Sequence, residues 1–533
     1  LLKTSPIDLT IIIVYLLGIT LLGVVFSRRQ GATSSGFFLA GRSLSWPIIG
    51  LALFATNIST VHMVGLASSG YGVGMVIGNF EWLAPFCLIL LGLVFAPFYY
   101  QSRISTLPEF LEKRFGPGSR TFLAFMAVVG ALFIHIGVSL YAGAVIFRTF
   151  VDIPIVASIL IVSVLTAIYT VAGGLKAVVI TESAQTCLLV AGALAVTVFG
   201  LIALGNSGIA TLSQLREVTK PGQMNMLQPG GEFAWYAMFL GYPVIGVWYW
   251  CADQTIVQRV LGARSQRDAQ TGPIFAGFIK ILTVFLMVFP GVMAYVLFKD
   301  QIGANPDSTL AVLITRLTPI GVQGLVAAGL IAALMSTVAG ALNSAGTLIS
   351  IDIVQRLRPA TPDKALVFIG RATGCVVMLL AMAWSTQGEH FGGIFAGINQ
   401  MISCLAPPIT VVFLWGVFWK RGTAQAALVT LIGGFLLGAA AFVADFPAFH
   451  HEILTKQWGI PFMMQAWWLF CICSVCFFVV SLLTPKPAAE QTRYCWSNPL
   501  STLTGSRFAG LTDSRVLASV LAITMVALYV VFR

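Results

Sequence analysis

Charge is what this chain has least of. Of its 533 residues only 9% are Asp, Glu, Lys or Arg, and 58% are hydrophobic. Soluble domains carry about 25% charged residues, so an ordinary water-soluble globule is excluded, in keeping with a mean hydropathy of +0.92. Long polar intervals are missing as well. The widest, residues 206–233 and 485–512, are too short to fold a separate soluble domain, so the function must reside in the apolar segments. The nine cysteines are scattered, mostly inside apolar runs, and suggest neither a disulfide framework nor a zinc site. Acidic residues number 19 against 30 basic ones, a net charge of +11 that could point to nucleic acid.

Apolar runs of the roughly 20 residues that cross ~30 Å of hydrocarbon are abundant. Fourteen spans are expected, at 7–27, 46–69, 78–99, 119–147, 154–172, 178–205, 234–253, 273–298, 320–353, 366–386, 391–418, 424–444, 463–484 and 513–532. The first is too long for a signal-peptide core and reads as a retained span. If the spans alternate from an outside N-terminus, 21 of the 30 Lys and Arg fall in cytoplasmic intervals, as the positive-inside rule requires. The expectation is an all-α, multi-pass protein of the cell membrane with both termini outside. Its basic charge then needs no nucleic-acid partner, membrane lipid surrounds it, and the pattern is silent on oligomeric state.

Two of the runs are interrupted. Residues 54–62, FATNISTVH, place five polar side chains near the middle of the 46–69 span, and the 234–253 span reads GYPVIGVWYWCADQ, with Gly241, Pro243 and Gly246 before a polar end. Five spans separate the two, an arrangement that would invert one half relative to the other. Paired interrupted helices point to a midplane substrate site in a secondary transporter, although glycine and proline are also common in merely kinked membrane helices.

Ionisable groups inside a bilayer cost ~2.5–3.5 kcal/mol at a helix centre. Three stand out: His62, Glu81 in GNFEWLAPF, and Lys280 in FAGFIKILTVF. Each has a bland reading as a satisfied interior histidine, a solvated interfacial carboxylate or a snorkelling lysine. Together they form a donor and acceptor set suited to a neutral polyhydroxylated molecule, with Trp and Tyr rings available to stack on a sugar. A second cluster, ALMSTVAGALNSAGT at 333–347, offers the hydroxyls of Ser336 and Thr337. These could coordinate a hard cation together with backbone carbonyls, or simply bond one turn back along their own helix.

At these residues the chain resembles the sodium/solute symporter family, and within it the sodium–glucose cotransporter branch. The matching stretches include FFLAGRSLSWPIIGLALFATNISTVHMVGLA, GNFEWLAP, STLPEFLEKRFG, YTVAGGLKAVVITESAQT, VWYWCADQTIVQRVLGAR, LMSTVAGALNSAGTL and LAPPITVVFLWGVFWKRG, in family order from about residue 37 to 421. The resemblance implies a LeuT-like core of two inverted five-helix repeats. Residues 1–45 would be a lead-in helix and cytoplasmic loop, 46–205 the first repeat, 206–233 an extracellular loop, 234–421 the second repeat and 422–533 three C-terminal helices. It implies sugar contacts at Asn57, His62, Phe80, Glu81, Trp250 and Lys280, with Tyr249 closing the inner side. It also implies a sodium site on the carbonyls of Ala55, Ile58 and Ala333 and the hydroxyls of Ser336 and Thr337.

The chain departs from the family pattern at three points. Asn399 stands seven residues before Ala406, where sugar transporters of the family carry Gln, and Gln400 follows one step later. That step turns a side chain by about 100°, so either amide could face the sugar. Ala339, Gly340 and Glu182 replace the hydroxyls and the Asp of members that couple two sodium ions, which argues for one sodium per sugar. The expectation is a sodium-coupled importer of a hexose such as glucose or galactose, working by alternating access, and not an enzyme. Alternatives are transport of another polyol such as inositol or of a small organic acid, and a sugar sensor or leak without tight coupling.

Overall fold

The computed structural model describes residues 5–27, 33–151, 153–386, 394–445, 452–496, 498 and 508–533; residues 391–393 of the span expected at 391–418 lie outside them. The fold is helical throughout, and the described residues contain only two isolated β-bridges. The main helices are α1 (Pro6–Ser27), α2 (Trp46–Asn57), α3 (Thr60–Gly72), α4 (Met75–Ser102), α5 (Leu107–Phe115), α6 (Pro117–Ala144), α7 (Ile155–Asn206) and α8 (Trp235–Val247). They continue with α9 (Gln254–Leu261), α10 (Gln266–Ile302), α11 (Val322–Gln355), α12 (Asp363–Ser385), α13 (Ile394–Phe418), α14 (Ala424–Asp445), α15 (Phe462–Leu483) and α16 (Ser514–Val531).

Among the described residues, eleven helices are long and apolar enough to cross a bilayer, or twelve if the bent pair α2 and α3 is one span. Two features account for the difference from fourteen. The expected spans at 154–172 and 178–205 run together in α7, whose 52 residues would measure ~78 Å if straight. They are not straight: Gly174 breaks the helix with φ 58 and ψ −167, a conformation glycine adopts without a Cβ penalty. A Cβ there would also meet the Phe37 carbonyl oxygen at 2.5 Å. The other feature is α8, whose helical run continues through Trp248–Ala252 but is less apolar than the others because of its Trp, Tyr, Gly and Pro residues.

Hydrogen bonds tie together loops and helix ends far apart in the chain. Ser34 N–H donates to Asp363 Oδ2 (3.0 Å), Leu44 N–H to the Gly262 carbonyl (3.0 Å), Arg267 to Thr512 Oγ1 (2.7 Å) and Arg421 to the Thr484 carbonyl (2.8 Å). Asp8 Oδ1 accepts from Gly321 N–H (2.8 Å) and Gly324 N–H (2.6 Å), and the Phe532 carbonyl accepts from Met226 N–H (2.6 Å).

Burial follows position in the bundle. Helix α11 is 94% buried over its apolar window, whereas α1 and α16 are 22% buried and carry outward-facing Leu, Ile and Val side chains, as lipid-facing helices do. Arg114 on α5 is wholly buried, with its guanidinium donating to the carbonyls of Gly416, Trp419 and Gly422 at 2.9–3.0 Å. It thereby caps carbonyls at and just beyond the C-terminal end of α13.

Candidate functional site

Both expected interruptions are real, but the second lies elsewhere than its glycines suggested. Helix α2 stops at Asn57, Ile58 and Ser59 are extended, and α3 resumes at an angle of 63°. The second break is at Asp253, also extended, which starts α9 by accepting hydrogen bonds from Thr255 N–H (2.7 Å) and Ile256 N–H (3.3 Å). Helix α8 runs on through Pro243. Gly241 and Gly246 serve packing instead: a Cβ would come within 2.1 Å of the Met463 carbonyl at one and 2.7 Å of Cys87 Sγ at the other.

A cavity opens beside the two breaks, lined by Asn57, Ser59, His62, Phe80 and Glu81 around the first and, from further along the chain, by Tyr249, Trp250, Thr337 and Asn399. Its empty space is about 840 Å³, part of it open to solvent. Ser59 N–H donates to His62 Nδ1 at 3.3 Å and Ser59 Oγ lies 3.0 Å from it, an N-terminal cap for α3. With Nδ1 accepting, a neutral ring carries its proton on Nε2. Phe80 stacks on Phe462 at 6.2 Å and 7°, and Tyr249 meets Trp250 edge-on at 5.1 Å.

Lys280 does not line the cavity; it stands behind the wall, 1% exposed. Its ammonium is ion-paired to Glu81 Oε2, lies 2.5 Å from Asn57 Oδ1 and faces the Trp250 ring at 5.8 Å. A buried cation needs such partners, and here they are three of the residues singled out for sugar. Gln400 is a second displacement, turned out of the cavity and donating to the Asp445 carbonyl at 2.8 Å, so that Asn399 is the amide in the wall. One helical step separates the two, and one step is enough to send them to different neighbours.

Four of the five groups expected around a cation come together. Ser336 Oγ donates to the carbonyls of Ala55 (2.8 Å) and Ala333 (3.0 Å), and Thr337 Oγ1 to those of Ala333 (3.2 Å) and Thr56 (3.3 Å). Ile58, the fifth, is extended, so its carbonyl leaves the helical ladder. Hydroxyl and carbonyl oxygens of this kind suit a hard cation. No group of three or more His, Cys, Asp or Glu residues among the described residues could hold another metal. Cys473 and Cys476, the chain's one pair at CxxC spacing, lie along α15 as free thiols.

Two features escaped sequence reasoning. Glu182 and Arg259, both wholly buried, form an ion pair at 2.5 Å, and Glu182 Oε1 also accepts from Thr56 Oγ1 at 3.1 Å. Gly340 makes room for it, since a Cβ would lie 2.4 Å from Arg259 Nη2; the departure at 340 thus has a packing reason. His135 and Ser139 on α6 also line the cavity, and His135 Nε2 lies 3.5 Å from Asp253 Oδ2. The cost rule applied to His62 would have flagged His135, another histidine inside an apolar run.

A bundle of membrane helices with two broken beside a cavity lined by polar, aromatic and aliphatic side chains is the architecture of a secondary transporter. The chain belongs to the sodium:solute symporter family, whose model matches residues 37–434. It is therefore a sodium-coupled solute symporter and not an enzyme. It is 33% identical to sodium/glucose cotransporter 1 of Ovis aries over 538 aligned positions, covering 92% of this chain and 81% of that protein. It is 32% identical to the sodium/myo-inositol cotransporter of Homo sapiens, covering 91% and 74%. In fold it is similar to a sodium-coupled sialic acid symporter solved substrate-bound and outward-open, with a TM-score of 0.76 at 22% identity over 90% of this chain and 99% of that one. A nucleobase–cation symporter in a closed conformation matches with a TM-score of 0.54 at 14% identity over 86% and 97%.

Proposed function

We propose that the protein imports a neutral polyhydroxylated solute, a hexose such as glucose or galactose, together with one sodium ion. The observation that carries this reading is the turn at residues 55–59. Its carbonyls at Ala55 and Thr56 are held by Ser336 and Thr337 of α11, while Asn57 is held by Lys280 and faces the cavity. One segment therefore touches both the cation-type oxygen cluster and the solute-type cavity. Sodium bound by the oxygens of Ala55, Ile58, Ala333, Ser336 and Thr337 would hold α11 against that turn and fix Asn57 and His62 for the sugar. Inward opening that separates α11 from the turn would release the ion.

Sugar hydroxyls would be met by Asn57, His62, Glu81 and Asn399, with the rings of Tyr249 and Trp250 beneath, while Lys280 orients Asn57 and Glu81 from behind. One sodium is energetically sufficient. A tenfold gradient supplies ~1.4 kcal/mol and 100 mV a further ~2.3 kcal/mol per charge, enough for a sugar gradient of roughly 500-fold. The Glu182–Arg259 pair favours this stoichiometry, because Glu182 is already neutralised by the guanidinium.

A second polyol, inositol, has a specific observation in its favour: the myo-inositol relative matches as well as the glucose relative. A small organic acid fits less well, since the charge of Lys280 is matched by Glu81. We further propose fourteen spans as two five-helix repeats with a lead-in helix and three C-terminal helices, both termini outside. The loop contacts support this, because each pair described joins two intervals that the alternation places on the same side. The test is uptake of a panel of sugars and inositols into proteoliposomes under an imposed sodium gradient. Accumulation of one of them with sodium, and none with potassium or choline, is expected. Uptake indifferent to the cation would overturn the reading.

A further inference from the structure

We infer that Gln400 and Asp445 are positioning residues that set which amide of α13 faces the solute. The inference rests on the cavity being the solute site. It assigns part of the selectivity to the C-terminal helices, which lie outside the proposed core repeats.

Asn399 and Gln400 cannot both face the cavity, because neighbours on a helix diverge by about 100°. Gln400 Nε2 donates to the Asp445 carbonyl at 2.8 Å and lies 3.4 Å from Oδ2. Asp445 is the last residue of α14, 1% exposed, with both carboxylate oxygens engaged. Thr455 donates to Oδ1 from its N–H (2.9 Å) and its hydroxyl (3.0 Å), and Gln465 Nε2 on α15 donates to Oδ2 at 2.7 Å. A buried carboxylate so fully engaged is a fixed point, and it ties the end of α14, the segment around Thr455 and α15 to one side chain of α13.

Helix α13 needs such a fixed point because Pro407 and Pro408 lie inside it. Their missing N–H groups remove backbone bonds, which leaves the turns before them less firmly held to those after. Seating Gln400 on Asp445 rotates these turns so that Asn399 and, one turn on, Ile402 line the cavity. The solute then meets an amide one methylene shorter than glutamine, with Ile402 beside it. The chain uses its glutamine as an anchor and its asparagine as the contact.

Gln400→Leu removes the anchoring amide at similar volume, and Asp445→Ala removes the fixed point. In proteoliposomes Gln400→Leu should raise KM for the best-transported solute by about tenfold and change the ratio of hexose to inositol uptake. The half-maximal sodium concentration and the melting temperature should stay put, which a general loss of packing would not allow. An independent readout is labelling of Asn399→Cys by a water-soluble thiol reagent, with the unsubstituted protein as blank. The rate should fall about tenfold when Gln400→Leu or Asp445→Ala is added. Unchanged labelling in both backgrounds, or an unchanged KM and solute ratio for Gln400→Leu, would overturn the inference. The labelling needs no transported solute, so it judges the rotation of α13 even if the proposed sugar uptake is not found.

Discussion

Ser336 on α11 donates its hydroxyl to the carbonyl of Ala55 at 2.8 Å, two residues before Asn57, whose side-chain oxygen lies 2.5 Å from Lys280 Nζ on α10. The turn that separates α2 from α3 is thus gripped from both sides, by a hydroxyl that can turn to a cation and by an ammonium that orders the cavity wall.

The hydroxyl side of that grip is tested by Ser336→Ala. Loss of one oxygen ligand to a charged ion is expected to cost ~1.5–3 kcal/mol, so the half-maximal sodium concentration should rise at least about tenfold. Solute affinity measured at saturating sodium should change little. Solute uptake and sodium titration in the same proteoliposomes separate the two effects.

The ammonium side behaves differently, because Lys280 and Glu81 are 1% and 2% exposed. Lys280→Ala leaves a buried carboxylate without its cation, an expected loss of ~3–5 kcal/mol, seen as a lower melting temperature and no uptake. The double variant Lys280→Met with Glu81→Gln removes both charges and should recover most of the melting temperature but not the uptake. Recovery of transport by the double variant would show that the pair has only a packing role.

Gly340 is expected to tolerate no side chain while Arg259 is present. In Gly340→Ala the new Cβ would sit 2.4 Å from Arg259 Nη2 and 3.1 Å from Glu182 Oε1. The guanidinium must move off its partner, with a predicted destabilisation of ~1–3 kcal/mol. Thermal unfolding of Gly340→Ala and Arg259→Gln, singly and combined, checks this: a combined effect smaller than the sum places both residues on one ion pair.

Outside the membrane-spanning helices, Glu112 on α5 offers a pH test. Burial alone would raise its carboxyl, but hydrogen bonds and charge from Arg120 and Arg356 outweigh it and hold the group below its ordinary 4.5. Arg356 Nε donates to it at 2.7 Å, and Arg120 is ion-paired to both Glu112 and Asp352. A lowered folded value means that the stabilisation is complete above the ordinary value and is lost as pH falls through the lower one. Melting temperature plotted against pH should fall less steeply below pH ~4.5 in Glu112→Gln than in the unsubstituted protein. Superimposable profiles would count against the pinning role.

The polar break at FATNISTVH was legible from residue type alone, because Thr, Asn, Ser and His in a bilayer need partners. The break in the other half was legible as a region but not as a position. Gly241, Pro243 and Gly246 look like breakers in a string of letters, yet two of them are close-packing points, and the chain turns ten residues beyond Pro243, where the Asp253 carboxylate can accept two backbone N–H groups. The boundary between the expected spans at 154–172 and 178–205 was legible too: no loop separates them, but Gly174, with φ 58 and ψ −167, breaks the helix where the two apolar runs meet.

Composition and spacing by themselves determined that the chain is a helical membrane bundle, that its chemistry lies inside the bilayer, and which rare polar side chains must find partners there, because the cost of burying polarity is a property of residue type. Which partner each finds depends on helix rotation and on segments hundreds of positions apart. Only the tertiary structure could therefore decide that Lys280 stands behind Asn57 and Glu81, that Arg259 reaches Glu182 over Gly340, and that Gln400 turns to Asp445 and leaves the cavity to Asn399.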